Sequence, residues 1–232
     1  MPAGHILVVD HEDEVRRLLE KRLGERGYEV STAASTRECL TSALARRPDL
    51  VILEADAPDI DGIGIIQELR RDLLCPIILT GNGSDDNEIV LGLTAGADVY
   101  LTRPVRLPVL LAYANAAIRR ETFYAATTPG RDPLTIRDLT IDPGAYEVRR
   151  NGELIPLTAT EFKLLDTLAR NAGRVLTRDQ LLNQVWELRS EQVYSRTVDV
   201  HVGRIRRKLE PDPARPRYIL TVTGLGYKVP RG

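Results

Sequence analysis

Five side chains that could do chemistry together sit at equivalent places in the chain. Asp10 follows the apolar run Ile6-Leu7-Val8-Val9, Glu54 closes Leu50-Val51-Ile52-Leu53, Thr80 ends Pro76-Ile77-Ile78-Leu79, and Arg103 follows Val99-Tyr100-Leu101-Thr102. His11 adjoins Asp10. Two carboxylates, a hydroxyl, an imidazole and a guanidinium could hold a cation or a phosphoryl group, or neutralise one another. Asp10, His11 and Glu54 could also serve zinc, but His5 and His201 offer no sequence-local help, so no metal site is assigned. A second group, Arg196, His201, Arg204, Arg206, Arg207 and Lys208, crowds one short segment and suits a polyanion. Neither group contains a nucleophile–base pair or a cofactor loop. No catalytic residue is assigned, and the chain is not expected to be an enzyme.

The elements that must position the first group alternate between strand and helix. Each short apolar run has the look of a parallel strand buried on both faces. After the first, Val15, Leu18, Leu19 and Leu23 recur at helical spacing, with Gly24 or Gly27 as a stop. Ile65, Ile66 and Leu69 mark a helix after the second run, and Ile89, Val90 and Leu93 one after the third. Residues 107–120 form the fifth helix. Such alternation predicts a parallel sheet with helices on both faces, whose functional groups gather at the carboxyl ends of the strands.

The stretches Ile6–Asp10, DLVILEADAPDIDG, PIILTG and GADVYLTRP, in that order, resemble the receiver domain of response regulators, an α/β doubly wound (βα)5 module. The resemblance implies two acids and an acceptor aspartate around Mg²⁺, with a hydroxyl and a lysine for the phosphoryl oxygens. Asp10 and Thr80 match. His11 stands where the second acid belongs, Glu54 where the acceptor belongs, and Arg103 where the lysine belongs. Imidazole is a poor ligand for a hard cation, the glutamate carboxylate is one methylene too long, and arginine can pair with carboxylates bidentately. Mg²⁺ binding is therefore expected to be weak or absent, and no cofactor is assigned. Two readings stay open: Glu54, Arg103 and Thr80 mimic the phosphorylated state, or the pocket has decayed and the domain persists as a dimerisation scaffold. Residual phosphorylation, for instance on Asp56, or gating by a small ligand is the further alternative. Asp56 also matches a position where the family uses only a backbone carbonyl.

The resemblance further implies pairing through the fourth helix, fifth strand and fifth helix. Where charged partners are expected there, this chain has Leu91, Thr94, Val109 and Tyr113, and with Leu110 these predict an apolar homodimer interface. Thr80 and Tyr100 match the family's switch residues.

Residues 121–133 (ETFYAATTPGRDP) have linker composition. Short β signals follow at Leu134–Ile136, Leu139–Ile141 and Tyr146–Val148, turning at Asn151-Gly152. Thr158, Thr177 and Ser195 are candidate N-caps of three helices. In the last, Arg196–Leu209, Val198, Val202, Ile205 and Leu209 form one face, and Arg196, His201, Arg204 and Arg207 are expected on the other. TATEFKLLDTLARNAG, LTRDQLL, SRTVDVHVGRIRRKLE and VTGLGYKV resemble the winged helix-turn-helix domain of OmpR/PhoB-type regulators, an α+β fold. By that resemblance Arg204 is the base-contacting residue, while Arg196, His201, Arg206 and Thr221 contact phosphates. Gly203 and Thr223 occupy positions where relatives often carry arginine. The three units are thus a receiver (1–120), a linker (121–133) and a DNA-binding domain (134–232).

Charge follows the same division. Residues 1–120 hold 14 Lys+Arg against 19 Asp+Glu, and residues 121–232 hold 18 against 14. Cys39 and Cys75 have no partner spacing for a metal or disulfide framework. No leader pattern opens the chain and no run of 18 apolar residues occurs. The expectation is a cytoplasmic, phosphorylation-independent dimeric transcription regulator on two adjacent DNA half-sites. RNA polymerase stays open as a partner, a sensor kinase is doubtful, and no membrane is expected.

Overall fold

The computed structural model describes residues 3–58, 60–83, 85–127, 132–186 and 196–231, and divides into two compact units, Met1–Ile118 and Arg119–Gly232. In the first unit β1 (His5–Val9), α1 (Asp13–Gly24), β2 (Glu29–Ala33), α2 (Thr36–Arg46) and β3 (Leu50–Glu54) lead to a two-residue hairpin, β4 (Asp56–Ala57) and β5 (Ile60–Asp61). Then come α3 (Gly62–Asp72), β6 (Ile77–Gly81), α4 (Asp86–Ala95), β7 (Val99–Thr102) and α5 (Leu107–Thr127). The sheet order is β2-β1-β3-β6-β7, all parallel. Ile6, Leu7 and Val8 are fully buried, as are Leu50, Val51 and Leu53, which is what continuous apolar strands require. Between β1 and β3 the strand order reverses, which opens a crevice at the carboxyl edge.

Two features depart from the sequence expectation. The fifth helix does not stop near residue 120 but runs to Thr127, so the first seven residues of the expected linker are helical. β2, Glu-Val-Ser-Thr-Ala, forms without an apolar run because it is the sheet edge, and only Ala33 is buried.

The second unit begins with a four-stranded antiparallel sheet of β8 (Leu134–Ile136), β9 (Leu139–Asp142), β10 (Glu147–Arg150) and β11 (Glu153–Leu154). Asn151 and Gly152 turn the last pair with φ of 52° and 85°, a conformation that Asn-Gly adopts at low cost. Tyr146, expected in β10, lies outside it with a φ of 59°, its ring stacked on Phe162 at 4.2 Å. The helices are α6 (Ala159–Arg170), α7 (Arg178–Leu181), continued by a π-helical turn (Leu182–Trp186), and α8 (Thr197–Leu209). Between α6 and α7 lies β12 (Leu176–Thr177), which pairs with the terminal hairpin β13 (Leu220–Val222) and β14 (Gly226–Lys228). Thr158 and Thr177 cap α6 and α7 in reciprocal capping boxes with Glu161 and Gln180. Ser195 lies outside the described residues. No helix among the described residues is long and apolar enough to cross a membrane.

Replacing Thr158 by Ala removes one half of the α6 box and is expected to cost about 1–2 kcal/mol of stability in that unit. Urea unfolding followed by the fluorescence of Trp186, the chain's single tryptophan, measures it.

Candidate functional site

At the carboxyl edge of the first sheet, Asp10, Glu54 and Thr80 are buried, at 3%, 2% and 5% exposure. Two adjacent buried carboxylates demand compensating charge. Arg103 supplies it from the end of β7. Its Nη1 donates to Glu54 Oε1 at 2.6 Å and its Nη2 to Asp10 Oδ2, so one planar guanidinium spans β1 and β3. Nη2 also lies 3.5 Å from Thr80 Oγ1. The other Glu54 oxygen accepts the His11 backbone N–H at 2.9 Å and sits 2.6 Å from His11 Nδ1. Asp10 Oδ1 accepts the Glu12 backbone N–H at 2.9 Å. Arg16 anchors the loop by donating to the Asp10 and His11 carbonyls. One ligand-type atom each from Asp10, His11 and Glu12 falls within 4.8 Å of the others.

These contacts split the two acids electrostatically. Burial pushes Asp10 up, more than the Glu12 N–H and Arg103 pull it down. Burial also works against the Glu54 carboxylate, but the His11 bonds and Arg103 hold it below its ordinary range. The hydrogen bond to Glu54, followed by its charge, raises the His11 pKa against the opposing effect of partial burial.

Of the six residues assigned to this pocket, five gather. Asp56 does not join them. Its Oδ2 accepts the Asn82 backbone N–H at 2.6 Å, because the β4–β5 hairpin turns the side chain toward the β6–α4 loop. Tyr100, the second switch residue, is 3% exposed and donates to Glu88 of α4, while its oxygen accepts the Gly83 N–H at 3.2 Å. A Cβ on Gly81 would meet the Tyr100 hydroxyl at 2.2 Å, so glycine at 81 leaves the space this inward ring needs. Burial and the Glu88 carboxylate both raise the Tyr100 pKa.

The proposed apolar dimer patch is smaller than expected. Leu91 and Thr94 are exposed and Val109 is half-buried, whereas Leu110 and Tyr113 are buried at 5% and 3%. The cause is the all-round apolarity of α5: Leu110 is buried against a cavity of its own unit.

The cationic segment on α8 also needs correction. At about 100° per residue, Arg204 lies about 120–130° from the centre of the Val198–Val202–Ile205–Leu209 face, and His201 is closer still. Both sit on a flank that packs inward. Arg204 Nη2 lies 2.9 Å from Glu161 Oε1 of α6 and Lys208 Nζ 2.7 Å from Oε2, around a carboxylate with no exposed surface. His201 has no exposure, and its ring centroid is 5.2 Å from that of Trp186. The stripe opposite the core is Arg196, Val200, Gly203 and Arg207, with both arginines exposed. A Cβ at Gly203 would meet nothing within 4 Å. On the other flank Arg206 donates to the Ile219 carbonyl and to Thr221 Oγ1 at 2.8 Å, tying α8 to the β13–β14 hairpin, where Thr221 and Thr223 are exposed.

One network went unmarked in the sequence. Asp199 Oδ1 receives Arg178 Nε and the Tyr227 hydroxyl, both at 2.7 Å, and Arg178 and Arg206 flank the Tyr227 ring. Burial and Asp199 push the Tyr227 hydroxyl up to about 12. The network joins the starts of α7 and α8 to the hairpin, fixing the height at which the outer stripe is presented. Its partners are 21 and 28 residues apart, beyond any periodicity signal.

Residues 6–115 match the family described as "Response regulator receiver domain" and residues 152–229 the one described as "Transcriptional regulatory protein, C terminal". The KDP operon transcriptional regulatory protein KdpE of Escherichia coli is 40% identical over 225 residues, covering 97% of this chain and 98% of KdpE. The DNA-binding response regulator MtrA of Mycolicibacterium paratuberculosis is 40% identical over 223 residues, 96% of each chain. The crystal structure of the response regulator DrrB, a Thermotoga maritima OmpR/PhoB homolog, covers 99% of this chain and 100% of its own, with 33% identity and a TM-score of 0.52.

Two outcomes follow from the ion pairs. Because the folded His11 pKa is raised above its ordinary 6.5, its pairing with Glu54 contributes fully below that value and is lost as pH rises through the folded pKa. Titration of the His11 ring by NMR should give a midpoint above 6.5 that falls in Glu54→Gln. Arg204→Ala should lower stability by about 1.5–3 kcal/mol, as expected for losing a charged hydrogen bond. Chemical unfolding against wild type checks it.

Proposed function

The chain belongs to the OmpR/PhoB-type two-component response regulators and is a DNA-binding regulator, and from that premise we propose that its receiver works without phosphorylation, as a constitutive homodimer. The observation that carries this reading is the Arg103 guanidinium lying between Asp10 and Glu54.

A receiver's Mg²⁺ needs oxygen donors in a tight octahedron. Three features argue against a fit here. The two carboxylates are already bridged by a permanent cation of the chain itself. The position of the second acid offers imidazole, and that ring is engaged with Glu54. Glu54 is folded back onto the His11 N–H rather than aimed outward. No phosphoryl-transfer step is derived for this pocket. The buried Tyr100 ring, bonded to Glu88, supports the view that the receiver rests in an active-like arrangement, since Tyr100 matches the switch aromatic that the family buries in its active state. Dimerisation is assigned to Leu91, Thr94 and Val109 on the α4–β7–α5 face, where apolar contact replaces salt bridges.

In the second unit, α8 enters the major groove of double-stranded DNA with Arg196 and Arg207 outward, and Arg206, Thr221 and Thr223 set the hairpin against the adjacent backbone. A dimer then reads two half-sites about one helical turn apart. RNA polymerase is the natural recipient of the signal, and a sensor kinase is not required.

Incubating the full chain with acetyl phosphate and Mg²⁺ is expected to leave its intact mass unchanged. Acid-labile phosphate on Glu54 or Asp56 would overturn the reading. The triple variant His11→Asp, Glu54→Asp, Arg103→Lys is expected to gain labelling. Leu91→Glu with Val109→Glu should shift sedimentation toward monomer and weaken DNA binding in parallel. Arg207→Ala should weaken binding to all sequences alike and reduce the salt slope by about 1, read from affinities at several ionic strengths.

A further inference from the structure

Beside the acidic cluster, the first unit contains a cavity of about 410 Å³. Its apolar lining comes from Val15, Leu18 and Leu19 of α1, from Val105, Leu107 and Leu110 around the start of α5, and from Val8 and Ile52 of the sheet. Its polar lining includes Asn82 and the cluster in which Arg103 contacts Asp10 and Thr80. An apolar chamber of this size with a few convergent polar groups has the form of a small-molecule site. Its position agrees, since the polar end lies where the strand order reverses between β1 and β3. The walls are not closed against each other. Leu18 is 46% exposed although it lines the cavity, and Val15, Val105 and Leu107 are only half-buried. Covering that apolar surface is favourable.

The polar end selects the chemistry. Asp10, Glu12 and Glu54 face Arg103 and His11, and the guanidinium already spans two of the three carboxylates. An incoming carboxylate or sulfonate would have to displace Asp10 or Glu54 from Arg103. A hydroxyl or amine donor needs no such exchange, because Asp10, Thr80 and Asn82 offer acceptor oxygens. We propose that this cavity binds a small neutral molecule with an apolar, ring-sized body and a hydroxyl or amine donor at one end, the donor seated toward Asp10 and the body between α1 and α5. The inference does not depend on the phosphate-free reading. A receiver that accepted phosphate would retain the same apolar chamber. Leu110 lines the chamber and adjoins Val109, so occupancy bears on α5 from inside, next to the face assigned to dimerisation.

The probe is N-phenyl-1-naphthylamine, a neutral naphthalene carrying one N–H donor, titrated into the full chain and followed by its fluorescence. Saturable binding with one site per chain is expected. Val105→Trp and Leu107→Trp each fill the chamber from its mouth, so each should weaken binding roughly tenfold or more, equivalent to about 1.4 kcal/mol. Circular dichroism and DNA binding of both variants confirm that they are folded. 1-Anilinonaphthalene-8-sulfonate, the same aromatic body with an anionic group, should bind at least roughly tenfold more weakly. Absence of saturable binding, or unchanged affinity in both tryptophan variants, overturns the site. Equal affinity for the sulfonate, which keeps the N–H donor and adds only the negative charge, overturns the selection for a neutral molecule. Phosphate labelling is read separately by intact mass, so failure of one proposal leaves the other standing.

Discussion

Everything at the carboxyl edge of the receiver sheet depends on how two buried carboxylates are neutralised. Asp10 and Glu54 end neighbouring parallel strands, so the topology forces them together with almost no exposed surface. A divalent ion answers that problem reversibly, since it can leave. An arginine answers it permanently, because its charge does not titrate in the accessible range and its fork matches two carboxylates at once. Arg103 therefore welds β1, β3 and β7 at their ends. The longer Glu54 side chain makes the weld possible by reaching both the guanidinium and the loop N–H of His11. Those substitutions are mutually consistent in the folded structure.

The second unit solves a similar problem in a different place. Glu161 completes the α6 capping box, and the same carboxylate collects Arg204 and Lys208 from α8. A local helix signal and a long-range tie thus share one side chain. Its burial is tolerable because every approach is charge-compensated, and the result fixes the angle between α6 and the helix that faces outward. Asp199 performs the corresponding task on the opposite flank with Arg178 and Tyr227.

Most of the architecture was legible because apolar runs and capping residues act locally. Thr158 and Thr177 announced two helices, and Asn151-Gly152 announced a hairpin. β2 was not legible, since an edge strand paired on one side needs no unbroken apolar run. The gathering of Asp10, His11, Glu54, Thr80 and Arg103 followed from strand ends alone. The turn of Asp56 away from that cluster did not, being decided by the Asn82 N–H. Arg204 and His201 were misplaced for a geometric reason: each directly precedes a core residue, Ile205 and Val202, and so lies about 100° round the helix from it, on a flank and not opposite. Leu110 and Tyr113 failed similarly, because a helix apolar all round gives no direction.

Within the outward stripe of α8, Gly203 alone has no side chain. It sits at the middle of the outward stripe of α8, and the space around its α-carbon is empty. A bare backbone there costs about 1 kcal/mol of helix propensity relative to alanine. With α8 in the major groove as proposed, a bare backbone there would let the helix axis settle deeper at that step than a side chain would permit. Discrimination at the base pair beneath it would then come from groove width and local stiffness instead of hydrogen-bonding edges. The operator should accordingly show a central position tolerant of base identity but sensitive to how readily the duplex deforms.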